Sequence, residues 1–156
     1  MSAAACAPFA GDGWLFSLNG RVAGWPDSVA ELAGQLPVTD LLTLDAPVDS
    51  ALLWALVRYR LRGGATPAAA VATTVADVAA AAPGSRLNLL LVDADRIVAT
   101  AAGHSLWIRR GDGSVVVASE PLDEDPRWRP LPEGVLLVAD RSGVEVSELP
   151  TKETLP

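Results

Sequence analysis

Asn19 and Gly20 follow directly on Trp14 to Leu18, a short apolar stretch that predicts a buried strand. At the end of a strand, the Asn19 side-chain amide and the Gly20 backbone N–H are two donors directed at one point, and glycine has no Cβ to obstruct a ligand. Two fixed donors are what an oxyanion hole requires. Asn-Gly is also the strongest short signal for a hairpin turn, because both residues accept positive φ, and these two residues alone favour the turn.

The segments around Asn19 and Gly20 add a second kind of evidence. Taken in order, they are similar to the later part of a class II glutamine-amidotransferase-type domain, and the similarity runs from about Ala5 to about Leu149. Within that family the chain resembles the γ-glutamyl amidohydrolases of bacterial ergothioneine biosynthesis. The segments are A-C-A-P-F, W-L-F-S-L-N-G, R-V-A-G-W-P-D-S-V, D-L-L-T-L-D-A-P-V-D-S-A-L-L-W-A-L-V, S-R-L-N-L-L-L-V-D and V-V-V-A-S-E-P.

The resemblance implies an α+β fold, the αββα sandwich of the N-terminal-nucleophile hydrolases, with antiparallel sheets and a helix pair. It implies that a cysteine thiol at the N-terminus attacks a γ-glutamyl amide, with the chain's own α-amine as base, and that water releases glutamate from a thioester. The implied partner is a small-molecule substrate, γ-glutamyl-hercynylcysteine S-oxide. By the same resemblance, Asn19 and Gly20 hold the tetrahedral oxyanion and Asp49 binds the α-amino group of the glutamyl part.

The sequence also departs from the family pattern. The family's nucleophile is a cysteine directly after the initiator Met, whereas this chain begins Met1-Ser2-Ala3, so the expected nucleophile is absent. The portion with a carboxylate-binding arginine is missing as well, and Leu18 stands where the family usually has His. We therefore expect a sandwich that is incomplete at its N-terminus, corresponding to the C-terminal two-thirds of the enzyme. Such a chain is expected to be inactive alone and to self-associate through open sheet edges.

Cys6 is the only cysteine, and two roles are open to it. As a nucleophile it would need removal of Met1 to Ala5, so that its own α-amine becomes the base. As a small buried hydrophobe it needs nothing further, and a lone cysteine more often has that role. The residues themselves favour the buried role.

Asp49 begins the strongest predicted helix, and its position fits two roles. Aspartate is a favoured N-cap and complements the helix dipole. A carboxylate held at a helix start can also present one oxygen to a substrate ammonium. The two roles are compatible, and the sequence leaves both open.

Composition and charge exclude several classes of function. Half of the 156 residues are hydrophobic, and the net charge of −7 disfavours nucleic acid, which needs a basic surface. The sequence shows no polybasic membrane patch, no apolar run of bilayer length and no signal peptide, so a cytoplasmic location is expected. With one Cys and one His, there is no metal-ligand spacing and no intramolecular disulfide, and no cofactor is expected.

Helical and strand patterns divide the chain in two. Three helices are predicted: one from an Asp27 or Ser28 N-cap to Leu36, ended by Pro37; one from Asp49 to the Gly63-Gly64 stop; and one from Thr66-Pro67 to Pro83-Gly84, antiparallel to the second. From Arg86 onward, six short segments predict an antiparallel meander: 87–92, 97–102, 105–110, 115–119, 135–139 and 144–149. The loop from Glu120 to Gly134 is the one expected to shape a pocket rim.

Four other residues could do chemistry, and a structural role is favoured for each. His104 lies at a predicted turn without a catalytic partner in its motif. Glu120 follows the strand end of the A-S-E-P run, and no chemistry is assigned to it. Trp107 and Trp128 could attract the trimethylammonium group of the implied substrate, but packing is the more frequent role of tryptophan.

Two hypotheses for the whole chain follow. The first is a γ-glutamyl amide hydrolase of the N-terminal-nucleophile type, present as a truncated chain. The alternative is a catalytically inactive fragment or a degenerate scaffold or binding domain. In both cases residues 1–149 are predicted to form one class II glutamine-amidotransferase-type domain, and residues 150–156 a loose tail.

Overall fold

The computed structural model describes residues 8–111 and 113–154, which form helices and antiparallel sheets. The helices are α1 (Ala30–Ala33), preceded by a 3-10 turn at Asp27–Val29, α2 (Val38–Leu42), α3 (Asp49–Arg62) and α4 (Pro67–Ala81). The strands are β1 (Phe9–Gly11), β2 (Trp14–Arg21), β3 (Arg86–Val92), β4 (Ile97–Ala101), β5 (Trp107–Gly111), β6 (Ser114–Ala118), β7 (Arg129–Pro130), β8 (Val135–Asp140) and β9 (Gly143–Glu148).

The two sheets stack face to face, and the helices cover the other face of the larger sheet. Six strands pair in the order β1-β2-β3-β4-β8-β9, and the smaller sheet has the order β6-β5-β7. One apolar core lies between the larger sheet and the helices, and a second lies between the two sheets. The predicted α+β sandwich with antiparallel sheets is confirmed.

Side-chain alternation along β2 and β3 supplies both cores. Phe16 of β2 and Leu89 of β3 are almost fully buried on the helix side. Leu90, the next residue along β3, packs in the core between the sheets. Because side chains alternate between the faces of a strand, the odd-numbered residues of β2, Ser17 and Asn19 among them, lie on the side of the smaller sheet.

The helix pair α3–α4 forms where the sequence predicts it. Seven consecutive residues of α3, 51–57, are buried, as expected for a helix that is apolar on every side. Thr66 caps α4 by accepting a hydrogen bond from the Ala69 N–H, and Pro67 occupies its first position. Arg60 of α3 joins the two helices through an ion pair of 2.7 Å with Asp77 of α4.

The structure corrects several element boundaries. The strand predicted to begin at Trp14, which is β2, does not end at Leu18 but continues to Arg21. The predicted 27–36 helix is only a 3-10 turn followed by α1, and its N-cap is Pro26, without a side-chain cap bond. Pro37 does not simply end a helix, since α2 begins at the next residue. The two short strands β1 and β7 were not predicted, and β4 pairs with β8 rather than with β5.

None of the helices in the described ranges combines the length and the apolar character that a membrane span needs.

Candidate active site

Asn19 and Gly20 lie inside β2, not in a turn. They face Asn88 and Leu87 of β3 in an antiparallel ladder that runs without interruption from Leu15 to Arg21. The hairpin-turn interpretation of Asn-Gly is therefore wrong. The ladder with β3 outweighs the local preference of the dipeptide for a turn.

The ladder also determines where the Gly20 N–H is directed. Opposite Gly20, the Leu87 N–H donates to the Ala102 carbonyl at 2.6 Å, so the main chain of Leu87 faces β4. Gly20 and Leu87 are then a non-hydrogen-bonded pair, and the Gly20 N–H is directed to the other edge of β2. Along that edge β1 pairs with β2 only from Trp14 to Phe16. Within the described residues, the Gly20 N–H thus lies beside a part of β2 that has no neighbouring strand.

Position 20 requires glycine for a steric reason. Its φ is +157°, and a Cβ there would lie 1.9 Å from the carbonyl oxygen of Arg86 and 2.6 Å from the carbonyl carbon. Both atoms belong to the backbone of β3, so a side-chain rotation cannot relieve the contact. The close approach of the two strands at this point depends on the missing Cβ.

Asp49 is anchored next to the end of β2. It is half-buried at the first residue of α3, and its Oδ2 accepts a hydrogen bond of 2.9 Å from the Val22 N–H. Its Oδ1 accepts the Ser50 N–H at 2.8 Å. Val22 comes two residues after Gly20, a chain span of at most about 7 Å. The structure thus brings Asp49 to the same end of β2 as Asn19 and Gly20.

The N-cap interpretation of Asp49 is wrong, because Asp49 is the first residue of α3, whereas its substrate-binding interpretation stays a prediction. The residue before it, Val48, is the N-cap, and the carboxylate holds the Ser50 N–H in the first turn of α3. A carboxylate has about four acceptor positions, and the hydrogen bonds to Val22 and Ser50 use two of them. Acceptor capacity therefore remains for an ammonium group.

Asn19 lies at the mouth of a cleft of about 290 Å³ between the sheets. Ser17 and Asn19 of β2 lie on one side of the cleft, and Val117 and Ser119 lie on the other, at the end of β6. The Asn19 side chain is exposed. A small polar ligand group can therefore reach Asn19 from solvent without a rearrangement of the core.

Asn88, opposite Asn19, is a buried polar residue that the sequence analysis missed. Its Oδ1 accepts the N–H groups of Ala102 and His104, and its Nδ2 donates to the carbonyls of His104 and Ser105. All of its hydrogen-bonding capacity is used to fix the turn after β4. Its position in the middle of the R-L-N-L-L-L-V run was the available signal, because a polar residue inside a buried strand needs partners.

The remaining candidates do not join this group. His104 contributes its backbone groups to Asn88, and Trp107 is half-buried on β5. Glu120 is exposed at the beginning of the loop after β6. Leu18, which stands where a His was expected, packs against the helix-side core. Cys6 lies outside the described residues.

Trp128 anchors the loop between β6 and β7 by burial and charge. It is 5% exposed, its Nε1 donates to Asp123 at 2.7 Å, and the Arg109 guanidinium lies 5.2 Å from its ring centroid. The hydrogen bond from Trp128 lowers the pKa of Asp123, and the hydrogen bond from Arg127 lowers the pKa of Asp125 to about 2. These contacts support the structural role of Trp128.

Metal ligation finds no support in this part of the molecule. Over residues 8–111 and 113–154, no three His, Cys, Asp or Glu side chains come together as a metal ion would need.

Comparison with solved structures identifies the class of fold. A glutamine aminotransferase class-II domain protein from Silicibacter pomeroyi superposes with a TM-score of 0.70 and 24% sequence identity, over 92% of this chain and 71% of that one. The larger and smaller sheets and the helix layer thus form the fold of a class II glutamine amidotransferase domain. No family model matches the chain.

Sequence comparison agrees with the fold. The chain is 34% identical over 145 residues to a γ-glutamyl-hercynylcysteine sulfoxide hydrolase from Mycolicibacterium smegmatis, over 93% of this chain and 56% of the relative. It is 35% identical over 143 residues to the protein of the same name from Mycobacterium tuberculosis, over 91% of this chain and 54% of the relative. In sequence and in fold the chain is therefore similar to class II glutamine amidotransferase-type proteins. It spans about half the length of the curated relatives it matches.

Proposed function

We propose that this chain forms the oxyanion side and the amino-group side of a site that hydrolyses a γ-glutamyl amide. The observation that carries the proposal is the meeting of three polar groups at one end of β2. The Gly20 N–H is directed to an open strand edge, the Asn19 amide is exposed beside it, and the Asp49 carboxylate is hydrogen-bonded two residues further on.

The chemistry assigns a role to each group. Attack of a nucleophile on the γ-carbonyl carbon places negative charge on the carbonyl oxygen, and Asn19 and Gly20 donate hydrogen bonds to that charge. Asp49 accepts hydrogen bonds from the α-ammonium group and so fixes the glutamyl part before the attack. When the tetrahedral intermediate collapses, the amide C–N bond breaks and the amine leaves with the proton that the nucleophile has lost. Water then hydrolyses the bond between the glutamyl group and the nucleophile, which releases glutamate and restores the nucleophile.

The substrate we propose is γ-glutamyl-hercynylcysteine S-oxide, with glutamate as one product. The names of the two mycobacterial relatives support this choice. The net charge of −7 supports a small-molecule substrate rather than nucleic acid, and the single cysteine fits a reducing compartment such as the cytoplasm. We also propose residues 1–149 as one domain, with residues 150–156 as its tail.

The nucleophile is the part of the site that the described residues do not supply, because they include no cysteine. We propose that it comes from polypeptide equivalent to the part of the relatives that this chain does not span. Cys6 is the competing source and lies outside the described residues.

The test is glutamate release from γ-glutamyl-hercynylcysteine S-oxide. We expect no release by the chain alone and release when it is mixed with the unmatched part of the Mycolicibacterium smegmatis relative. In the active mixture, Asp49→Asn should raise KM by about 10- to 100-fold, since a charge-assisted hydrogen bond is lost. Release by the chain alone that Cys6→Ser abolishes would transfer the nucleophile to Cys6.

The second candidate function is a non-catalytic binding domain. The absence of a cysteine among the described residues favours it. It predicts that no mixture releases glutamate, although the folded chain still binds γ-glutamyl compounds.

A further inference from the structure

The chain has two asparagines, Asn19 and Asn88, and they lie directly opposite each other in the β2–β3 ladder. Asparagine side chains are among the thermally labile groups of proteins. Their deamidation begins when the backbone nitrogen of the following residue attacks the side-chain carbonyl carbon. The reaction therefore depends on how freely that nitrogen and the side chain can approach each other, and the two asparagines differ in this respect.

Asn88 is protected by its hydrogen bonds. Its side chain is buried, and both its oxygen and its nitrogen are bonded to main-chain groups of residues 102–105. The nitrogen that would attack it belongs to Leu89, and the Leu89 N–H donates to the Thr100 hydroxyl at 2.8 Å. Neither reacting group of Asn88 is free to move.

Asn19 lacks these restraints. Its side chain is exposed and forms no hydrogen bond with any described residue. The following residue is Gly20, which has no Cβ to hinder the attack. The Gly20 N–H is directed to the open edge of β2 and has no strand partner among the described residues. The attacking nitrogen at this position is thus both unhindered and unpaired.

The remaining restraint on Asn19 is the ladder itself. An extended, paired strand holds the Gly20 nitrogen away from the Asn19 side-chain carbon, and the two meet only after rotation about the Cα–C bond of Asn19. That rotation displaces Arg21, whose pair with Arg86 is the last pair of the ladder. Like charges at directly opposite positions weaken a sheet, and neither arginine forms an ion pair with a described residue.

Beyond the Arg21–Arg86 pair, two side chains hold the main chain in place. The Val22 N–H donates to Asp49 at 2.9 Å, and the Ala23 N–H donates to the Ser85 hydroxyl at 2.9 Å. A local opening of the ladder end must work against these two bonds. Their removal should therefore make the opening more frequent.

We propose that Asn19 is a site of spontaneous deamidation, which proceeds when the Arg21–Arg86 end of the β2–β3 ladder opens. The Gly20 nitrogen gives up its proton and forms a bond to the Asn19 side-chain carbon. The bond from that carbon to Nδ2 breaks, and ammonia leaves with the proton. Water then opens the five-membered imide at either carbonyl, which leaves aspartate or isoaspartate at position 19.

The modification would remove one side of the candidate active site, a consequence that rests on the function proposed above. A carboxylate only accepts hydrogen bonds, whereas the Asn19 amide donates them. Negative charge at position 19 would also oppose the developing oxyanion. A modified chain should therefore be folded but unable to support turnover.

The experiment is mass spectrometry of tryptic peptides from the chain aged in mildly alkaline buffer, with and without urea. Trypsin releases residues 1–21 and 87–96 as separate peptides with one asparagine each, so Asn88 serves as an internal control. In buffer we expect conversion of peptide 1–21 to the acid and none of peptide 87–96. In urea the conversion of peptide 1–21 should be at least about 10-fold faster, because the ladder no longer restrains Asn19.

Three variants separate local opening from global unfolding. Ser85→Ala removes the bond to Ala23 and should accelerate conversion in buffer about 5-fold. Arg86→Gln removes the repulsion at the ladder end and should slow it. Thr66→Ala is the control, because it removes the cap of α4, at a similar cost in stability, far along the chain from the ladder, and it should leave the rate unchanged.

Three results would overturn the proposal. The first is no conversion of peptide 1–21 in buffer during the time in which the urea sample is fully converted. The second is an equal rate in buffer and in urea, and the third is equal acceleration by Ser85→Ala and Thr66→Ala. Because mass reports the modification without reference to activity, a failure of the proposed function leaves these results intact. A fully converted chain with unchanged kcat would instead overturn the oxyanion role of Asn19.

Discussion

Substitution of Gly20 by alanine tests whether β2 and β3 must approach closely at the candidate oxyanion donors. The new Cβ would lie 1.9 Å from the Arg86 carbonyl oxygen, whereas ordinary carbon–oxygen contacts are about 3.3 Å or longer. The strands must then separate by about 1.4 Å at this point. The pairs on either side, Asn19–Asn88 and Arg21–Arg86, exchange the ladder hydrogen bonds here and would lose them.

The expected loss of stability follows from those hydrogen bonds. Up to four bonds at about 1 kcal/mol each give a decrease of about 2–4 kcal/mol in the free energy of unfolding. For a chain of this length, that corresponds to a decrease of about 5–15 °C in Tm.

Gly143→Ala is the matched control. Gly143 has a φ of +150°, close to the +157° of Gly20, but a Cβ there would meet no atom within 4 Å. The loss of stability in Gly143→Ala therefore comes from backbone strain alone, and we expect it to be about 1 kcal/mol. Differential scanning calorimetry of the two variants isolates the steric part. If Gly20→Ala melts at the same temperature as Gly143→Ala, the close approach of β3 is not what requires glycine at position 20.

Three further predictions concern the scaffold. Arg60→Met should lower the free energy of unfolding by about 2 kcal/mol, because Asp77 then loses its ion-pair partner at 2.7 Å. Arg141→Met, at an exposed ion pair, should change that free energy by less than about 0.5 kcal/mol. Denaturant titration compares the two variants, and equal losses would contradict the stabilising role of the Arg60–Asp77 pair. Asp123 and Asp125 have lowered pKa values in the folded chain, so their contribution to the stability of the fold is present above about pH 4 and is lost as the pH falls towards 2. Trp128 fluorescence should change between these two pH values. A transition centred near pH 6 would instead indicate the titration of another group. The edge strand β6 has three consecutive valines and no charge, so it should make the purified chain self-associate. Val116→Lys should reduce the self-associated fraction measured by sedimentation velocity. A wild-type chain that is monomeric at all concentrations would refute the role of this edge.

The two long helices could be predicted from the sequence, because caps, apolar runs and glycine stops determine them locally. The helix α4 follows from the Thr66 cap and Pro67, and α3 from its apolar run and the Gly63-Gly64 stop. By contrast, α2 has five residues, no side-chain cap bond and no buried residue, so its sequence carries no periodic signal. The two-residue strand β7 exists only because β5 lies beside it.

The candidate site depended on a longer-range relation. Asn-Gly alone favours a turn, and only the pairing of β2 with β3 keeps it extended. Resemblance to the family selected Asn19, Gly20 and Asp49 in spite of that local signal, and the structure brings the three to one end of β2. The pairing of Asn19 with Asn88 could not be found in this way, since its register comes from two strands far apart in sequence.

The most direct test of the central claim is the turnover of Asn19→Ala in the mixture of this chain with the unmatched part of the Mycolicibacterium smegmatis relative. The substitution removes one of the two proposed oxyanion donors and leaves the Gly20 N–H. We predict that kcat falls about 100- to 1000-fold with little change in KM, because the oxyanion exists only in the transition state and the intermediate. Tm should change little, since the Asn19 side chain is exposed. An unchanged kcat in a folded Asn19→Ala variant would contradict the assignment of this strand as the oxyanion side of the site.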